Sequence, residues 1–480
     1  MANKFLDFYK ISGPSSTKIA VDKVDKTYKK LRIQAFLAAT FGYALYYVCR
    51  TTLNVVKQPI IDKGLLDAAQ LGVVSSCLLF AYALGKFVNG FLADYCNIRR
   101  FMATGLIISA FMNLVMGIFG FTEGSLGLAN VVLFVIFAIM WGINGWSQSM
   151  GAPPAIISLS RWFPLRIRGT FYGFFSASHN FGEFLSFLFV GLIVSTFGWQ
   201  WGFFGASLAG AGGVVLILLL LHDNPESKGL PPVEVLSKEK TQEEYDAIVA
   251  EKMKNADAVR IETGKMQKEV LKNPGVWVLA LASAFMYMSR YAINGWGVLF
   301  LQKVKGFSLE KATFIISINA ILGVIGTVFS GWFSDVLFKG DRKYPALIAG
   351  ILNTVALCIF LFGGNGWFVN VLAMVLFGIA IGVLICFLGG LMAVDLVPRK
   401  ATGAALGIVG VASYMAAGLQ DIVSGQLINR FMTKVPIAVN GVMQMEDHYN
   451  FTYAAYFWIA ASIISFLLPI LNWHRKQQEI

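Results

Sequence analysis

The chain has 480 residues, 56% of them hydrophobic and 14% charged, with a formal net charge of +12 and a mean hydropathy of +0.65. Soluble domains carry about 25% charged residues, so the composition excludes an ordinary soluble enzyme or nucleic-acid-binding protein and indicates a polytopic membrane protein. The five cysteines, Cys49, Cys77, Cys96, Cys358 and Cys386, lie in or beside apolar stretches without the paired spacing of a disulfide framework or zinc site, and read as packing residues.

Residues 1–32 are polar and Lys-rich and lack the apolar core of a signal peptide. They form a cytoplasmic N-terminal segment. A spanning helix needs about 20 mostly apolar residues. Six such segments follow, at 33–56, 70–92, 101–121, 129–157, 168–196 and 199–221, making a first bundle over 33–221. Residues 222–275 are hydrophilic and read as a cytoplasmic linker, whose part from Glu243 to Lys272 can form one or two solvated surface helices. Six more segments, 276–301, 311–335, 344–363, 367–394, 401–430 and 452–473, make a second bundle over 276–473, and 474–480 is a cytoplasmic tail. The expected fold class is therefore an all-α membrane protein of twelve transmembrane helices.

Basic residues mark one side. Lys23, Lys26, Lys29, Lys30, Arg32, Arg99, Arg100, Arg161, Arg166, Arg168, Lys339, Arg342, Lys343, Arg399, Lys400, Arg475 and Lys476 all flank alternate segment ends. The opposite loops, around Glu123, Phe197 and Gly364, are nearly free of Lys and Arg. This asymmetry predicts both termini inside.

The two halves repeat. Tyr47-x-x-Arg50-x-x-x-Asn54 matches Tyr287-x-x-Arg290-x-x-x-Asn294 at an offset of 240 residues (290 − 50). Gly90 to Asp94 matches Gly331 to Asp335, and Pro164 and Gly169 match Pro398 and Gly403. Offsets of 240, 241 and 234 residues, consistent across a whole half, fit parallel repeats related by an axis along the membrane normal. An arginine at the bilayer core costs about 2.5–3.5 kcal/mol on insertion scales, so Arg50 and Arg290 require a partner or a hydrated cavity. At about 1.5 Å per residue both lie roughly 21–24 Å from the start of their segments, at one shared depth. Guanidinium binds phosphate oxygens bidentately and stays charged. Two of them, one from each half, predict a pocket for a phosphoryl group; the alternative is a structural role on carbonyls or a carboxylate.

Other intramembrane polar residues carry two readings each. Tyr47 and Tyr287, one turn before the arginines, face the same way and either bind ligand oxygens or pack. Lys86 either draws anions into the cavity or snorkels to the interface. His179 and Glu183, spaced i, i+4, either form a protonated anion site or a packing pair, and Glu183 can also reach Lys86. Asp421 either faces the pore or a neighbouring helix. Asp94, Arg100, Asp335 and Arg342 are expected to lock helix ends and set the conformational balance. Nothing resembles a nucleotide site, a metal site or a nucleophile and base set, so no enzyme activity, cofactor, metal or nucleic acid is expected, and a monomer suffices.

The paired Gly-x-x-x-Asp loops resemble those of the major facilitator superfamily. The stretch Phe41 to Arg50, Gly85-Lys86-Phe87, Trp146 to Pro154, Arg161 to Pro164 and Ser178-His179-Asn180 resemble the organophosphate:inorganic phosphate antiporters, which include bacterial hexose-phosphate and glycerol-3-phosphate transporters. That resemblance implies alternating access of two six-helix halves around a midplane site in a plasma (inner) membrane, if the host is bacterial. It implies paired phosphate-binding roles for Arg50 and Arg290, with Lys86, His179, Tyr43, Tyr47, Tyr82, Tyr287 and Tyr414 in the polar lining; Asn294 and Asp421 complete the candidate set. The expected activity is exchange of a sugar phosphate for inorganic phosphate. Hexose 6-phosphate, such as glucose 6-phosphate, is favoured over glycerol 3-phosphate because Asn144, Gln148, Asn319 and Asp421 offer groups for hydroxyls. A transporter-like hexose-phosphate sensor and a proton-coupled organic-anion carrier using His179, Glu183 and Asp421 remain the other readings.

Overall fold

The computed structural model describes residues 7–122, 130–254, 265–339, 341–397, 402–439 and 442–472. The sequence features at Glu123, Pro398, Arg399, Lys400, Arg475 and Lys476, and the side chain of Asp335, lie outside the described set.

Among the described residues, six long helices form the first half, α1 (Val21–Asp62), α2 (Ala68–Asp94), α3 (Ile98–Phe121), α4 (Asn130–Trp162), α5 (Leu165–Phe197) and α6 (Trp199–Leu220), and six the second, α7 (Pro274–Lys303), α8 (Leu309–Phe338), α9 (Lys343–Phe362), α10 (Trp367–Leu391), α11 (Thr402–Arg430) and α12 (Thr452–Leu467). Eleven are long and apolar enough to cross a membrane. The twelfth, α1, falls short because its apolar stretch carries Gln34, Arg50 and a run of tyrosines. It is also longer than the sequence predicts, beginning twelve residues before position 33 and ending six after 56.

Local chemistry sets the helix ends. Asp67 and Gln70 cap α2 reciprocally, each side chain accepting the other's backbone N–H at 2.7 and 3.0 Å. Asn97 accepts from Arg100 N at the start of α3, and Asn273 accepts from Gly275 N beside Pro274 at the start of α7. Gly198, with φ of +101°, makes the abrupt turn from α5 to α6 that a Cβ would strain. The α4 helix breaks at 149–151, ahead of Pro153 and Pro154, because proline cannot continue the hydrogen-bond ladder. Over Phe387–Leu391, α10 loosens into π winding at Gly389-Gly390.

Large apolar side chains stand exposed around the outside, among them Phe111, Ile139, Leu208, Leu219, Ile351 and Val355. Water would not tolerate so continuous an apolar belt; hydrocarbon does. The polar groups are inside instead. Between α1, α3 and α4, Asn113 and Asn144 both donate to Cys49 O, at 2.9 and 3.1 Å, and Gln148 donates to Ser109 Oγ at 3.0 Å.

Between the linker end and the opposite end of the bundle, cross-half contact is uneven. Toward the far end, α2 and α11 meet so closely that a Cβ on Gly72 would lie 3.2 Å from Gly425 Cα. Ser76 donates to Gly418 O at 2.7 Å, Asn429 donates to Asp67 at 3.4 Å, and Lys303 pairs with Asp62 at 2.6 Å. Toward the linker end, Gly169 and Gly173 on α5 and Gly403 and Gly407 on α11 stand in open space. The two halves are therefore closed against each other at the far end, and these linker-end glycines make no such contact.

Two features go beyond the sequence reading. Two strands, Thr433–Val439 and Val442–His448, pair antiparallel between α11 and α12. The N-terminal segment is docked: Ser12 N donates to Asp223, Asn97 donates to Ser12 Oγ, and Arg100 donates to Phe8 O at 2.6 Å. Within the linker, Gln242–Lys254 and 265–272 are helical, as expected for its Glu/Lys-rich part.

Candidate substrate-binding site

On α1, Tyr43, Tyr47, Arg50, Asn54 and Lys57 recur at alternating steps of four and three, which lines them along one face. On α7, Tyr287, Arg290, Tyr291 and Asn294, linked by spacings of three and four (287/290, 287/291, 290/294), form the corresponding face of the other half. A close α1–α5 contact fixes the first face: Gly182 lies so near Ala44 that a Cβ would sit 2.8 Å from Ala44 Cα, and Thr51 Oγ1 bonds Ser186 Oγ.

Both arginines are buried, at 5% and 4% exposure, and they converge on Tyr291. Arg50 Nη2 donates to the Tyr291 hydroxyl at 2.9 Å, and Arg290 Cζ lies 5.9 Å from the Tyr291 ring centroid. Aromatic faces cage Arg50 further, with its Cζ 4.2 Å from the Tyr82 centroid, 5.3 Å from Tyr414 and 5.4 Å from Tyr47. A desolvated cation over an aromatic face gains about 2 kcal/mol. These rings hold the guanidinium without cancelling its charge, and no carboxylate pairs with it among the described residues.

Tyr82, Tyr287, Tyr291 and Tyr414 form one aromatic box, with the Tyr82–Tyr414 centroids 4.5 Å apart and Tyr287–Tyr414 5.3 Å apart. Tyr43 stands edge-on to Tyr47 at 5.6 Å, and Tyr47 lies 5.9 Å from the His179 ring. Lys86 is exposed at the linker-end rim, its Nζ 5.4 Å from the Tyr414 centroid. The structure thus brings together Arg50, Arg290, Lys86, His179, Tyr43, Tyr47, Tyr82, Tyr287, Tyr414 and Asn294.

Several expectations need correction. Glu183 does not pair with His179 or Lys86. Its carboxylate instead accepts from Arg290 Nη2 at 3.0 Å and from Asn294 Nδ2 at 2.8 Å, so α5 of one half grips α7 of the other. A fixed guanidinium fork is the stronger partner for a buried carboxylate. One of the two cations is thereby already neutralised. Asp421 is not in the aromatic box: it accepts from Trp296 Nε1 at 2.9 Å, nearer the far end. Beside it, Lys57, fully buried, donates to Gly295 O at 2.8 Å and lies 3.8 Å from the Trp296 ring centroid. Asn144 and Gln148 are occupied in helix packing, and Asn319 donates to Ile316 O and, at 3.3 Å, to Asn294 Oδ1. With these side chains engaged, the hydroxyl-binding ground for preferring hexose is gone.

Among the residues expected to lock helix ends, Arg342 donates to Leu391 O at 3.2 Å and pairs with Asp395, which the sequence reading did not single out. Arg100 holds the N-terminal segment, and Asp94 is exposed with no ion pair among the described residues. In the first half an ion pair joins Arg161, at the end of α4, to Asp223, after α6. Nearby, burial and then Lys228 and Arg99 push the His222 imidazole down to about 4, so it is neutral at pH 7.

Tyr291 and Lys57 were missed for identifiable reasons. The residue matching Tyr291 in the first half is Thr51, so comparing the repeats hides it. Ending the first segment at 56 put Lys57 in a loop, although it falls two helical turns beyond Arg50 on the same face.

Comparison with known proteins identifies the family. The sequence profile of the Major Facilitator Superfamily matches residues 39–420. A probable hexose phosphate transport protein of Chlamydia pneumoniae is 32% identical over 406 residues, covering 82% of this chain and 84% of the relative. The glycerol-3-phosphate transporter of Bacillus subtilis is 31% identical over 427 residues, covering 87% and 91%. The crystal structure of a bacterial homolog of the human lysosomal transporter Spinster, inward-facing and unoccupied, superposes with a TM-score of 0.66 at 19% identity, over 92% of this chain and 98% of that one. The chain is a multi-pass membrane transporter, not an enzyme, and belongs to the organophosphate:inorganic phosphate antiporter family of the major facilitator superfamily.

Proposed function

We propose that the protein exchanges a sugar phosphate for inorganic phosphate by alternating access, with the linker end in the cytoplasm. The observation that carries this reading is the convergence of Arg50 and Arg290, one from each half, on Tyr291. A phosphoryl group bridging both guanidiniums would tie the halves together at the one depth they share, and rocking about that point would expose it to either side. Lys86 at the linker-end rim supplies a point charge that draws anions in from the open side. The basic residues beside the linker-end loops support a cytoplasmic placement of that end.

Hexose 6-phosphate is the first candidate substrate and glycerol 3-phosphate the second. Support for hexose comes from the relatives named for hexose phosphate, since the polar groups expected to read hydroxyls are engaged elsewhere. Exchange of labelled phosphate in proteoliposomes, competed by glucose 6-phosphate, glycerol 3-phosphate and unphosphorylated glucose, tests both levels. Competition by both esters but not by glucose supports the phosphoryl site, and their ranking chooses the substrate. Saturable binding with no counterflow would point to a sensor, and uptake driven by a pH gradient without internal phosphate would contradict exchange.

A further inference from the structure

Glu183 occupies the Arg290 fork to which the phosphate-exchange reading assigns a phosphoryl group. Both of its oxygens are committed to the second half, one to Arg290 Nη2 and the other to Asn294 Nδ2, and it is 4% exposed. It reaches these partners from α5, in the first half. The carboxylate therefore does from within the chain what the substrate would do from solution: it bridges the halves through the Arg290 fork.

We propose that Glu183 is a tethered counter-anion that releases Arg290 when the phosphoryl group arrives and takes up a proton from water as it leaves, so that each dianionic substrate bound is accompanied by one proton held on the protein. The proposal rests on the phosphate-exchange reading above.

Charge balance argues for the proton. With Lys86 left out of the count because it is exposed to solvent at the rim, the buried Arg50, Arg290 and Glu183 together leave one net positive charge. A dianionic phosphate ester would turn this into one net negative charge, with Glu183 pressed against phosphoryl oxygens. One proton on Glu183 restores neutrality. In the exchange, the two hydrogen bonds to the carboxylate break, Arg290 donates to phosphoryl oxygens instead, and the neutral acid can donate rather than repel.

The groups facing Glu183 leave few rival proton sites. From α7, Arg290 and Asn294 bind it, and around that pair stand Tyr287 and Tyr291 of α7, Arg50 and Tyr47 of α1 and Tyr414 of α11. On α5 itself His179 lies one turn away. α8, also packed on this face, carries no charged side chain or histidine between Lys311 and Asp335, and α6 carries none. Lys57 and Asp421 lie further toward the far end, engaged with Gly295 O and Trp296 Nε1; Lys86 is exposed at the linker-end rim.

The test is a proton count by titration calorimetry on purified full-length protein with glucose 6-phosphate at pH 8, in buffers of different ionisation heat. At that pH the ester, with a second pKa of about 6, is a dianion. Wild type is expected to take up about one proton per ester bound, and its affinity to fall up to about tenfold per pH unit as pH rises, as one-proton linkage requires. Glu183→Gln is expected to bind the ester with no proton uptake and with an affinity independent of pH. Glu183→Asn, equally unable to ionise, is read the same way should the glutamine variant fold poorly. No proton uptake by wild type overturns the proposal, a result that needs no variant. So does an undiminished uptake in either variant, which would move the proton to His179 or to the ester. Absence of any ester binding by wild type would instead overturn the phosphate-site reading beneath it.

Discussion

The hydroxyl of Tyr291, on the second half, accepts a hydrogen bond from Arg50, on the first, at 2.9 Å. This neutral acceptor holds the guanidinium in place while leaving its charge uncompensated, which a carboxylate partner would not. Arg290, bound to Glu183, is the compensated member of the pair. The asymmetry between two arginines at matching repeat positions comes from what the opposite half presents to each.

Tyr291→Phe should therefore weaken substrate binding without unfolding the protein. A hydrogen bond to a charged group contributes about 1.5–3 kcal/mol, so the affinity for phosphate should drop about tenfold or more, with a melting temperature close to wild type. Isothermal titration beside a thermal melt reads both. An unchanged affinity would mean that Tyr291 does not position Arg50.

Lys57→Met removes the buried donor to Gly295 O across the closed far end. Losing that hydrogen bond from a charged donor costs about 1.5–3 kcal/mol. The closed far end should lose stability relative to the open one. Reaction of a cysteine placed at Ser76, in the α2–α11 contact, with a membrane-impermeant thiol reagent should speed up several-fold in the variant. Equal rates in both backgrounds would show that this cluster does not hold the far end shut.

Gly72→Val acts on the same contact by volume. Its side chain would run into the Asp421–Gly425 backbone of α11, and a clash against backbone costs about 1–3 kcal/mol where it cannot relax. The halves can relieve it by parting at the far end, so the same thiol assay should report opening while the helix content stays constant. Loss of helical signal instead would place the clash within a half.

Asn144→Ala separates packing from recognition. Its amide donates to Cys49 O in the interior of the first half. Its loss should cost about 1–3 kcal/mol of stability while leaving the ranking of glucose 6-phosphate against glycerol 3-phosphate unchanged. A reversed ranking would return this residue to the site.

Much of this architecture is legible in the sequence. Twelve apolar runs, the offset of 240 residues and the basic flanks follow from the hydrocarbon thickness and from repetition, both of which act residue by residue. Tyr43, Tyr47 and Arg50 could be grouped because helical periodicity alone places them on one face. Pairings between helices are not readable that way. The alignment of His179 with Glu183 at i, i+4 offered a local partner, yet the carboxylate turned to Arg290 across the bundle interface, a contact 107 residues away in sequence. Likewise Asn144 and Gln148 look available to a ligand until α1 and α3 are packed against them.

Labelled phosphate exchange in proteoliposomes, compared among wild type, Arg50→Lys and Arg290→Lys, tests the central claim most directly. Lysine keeps the charge and loses the bidentate fork, so the account predicts that exchange falls at least a hundredfold in both variants while both proteins remain folded. Exchange at the wild-type rate in either variant would contradict a phosphoryl site shared between the two halves.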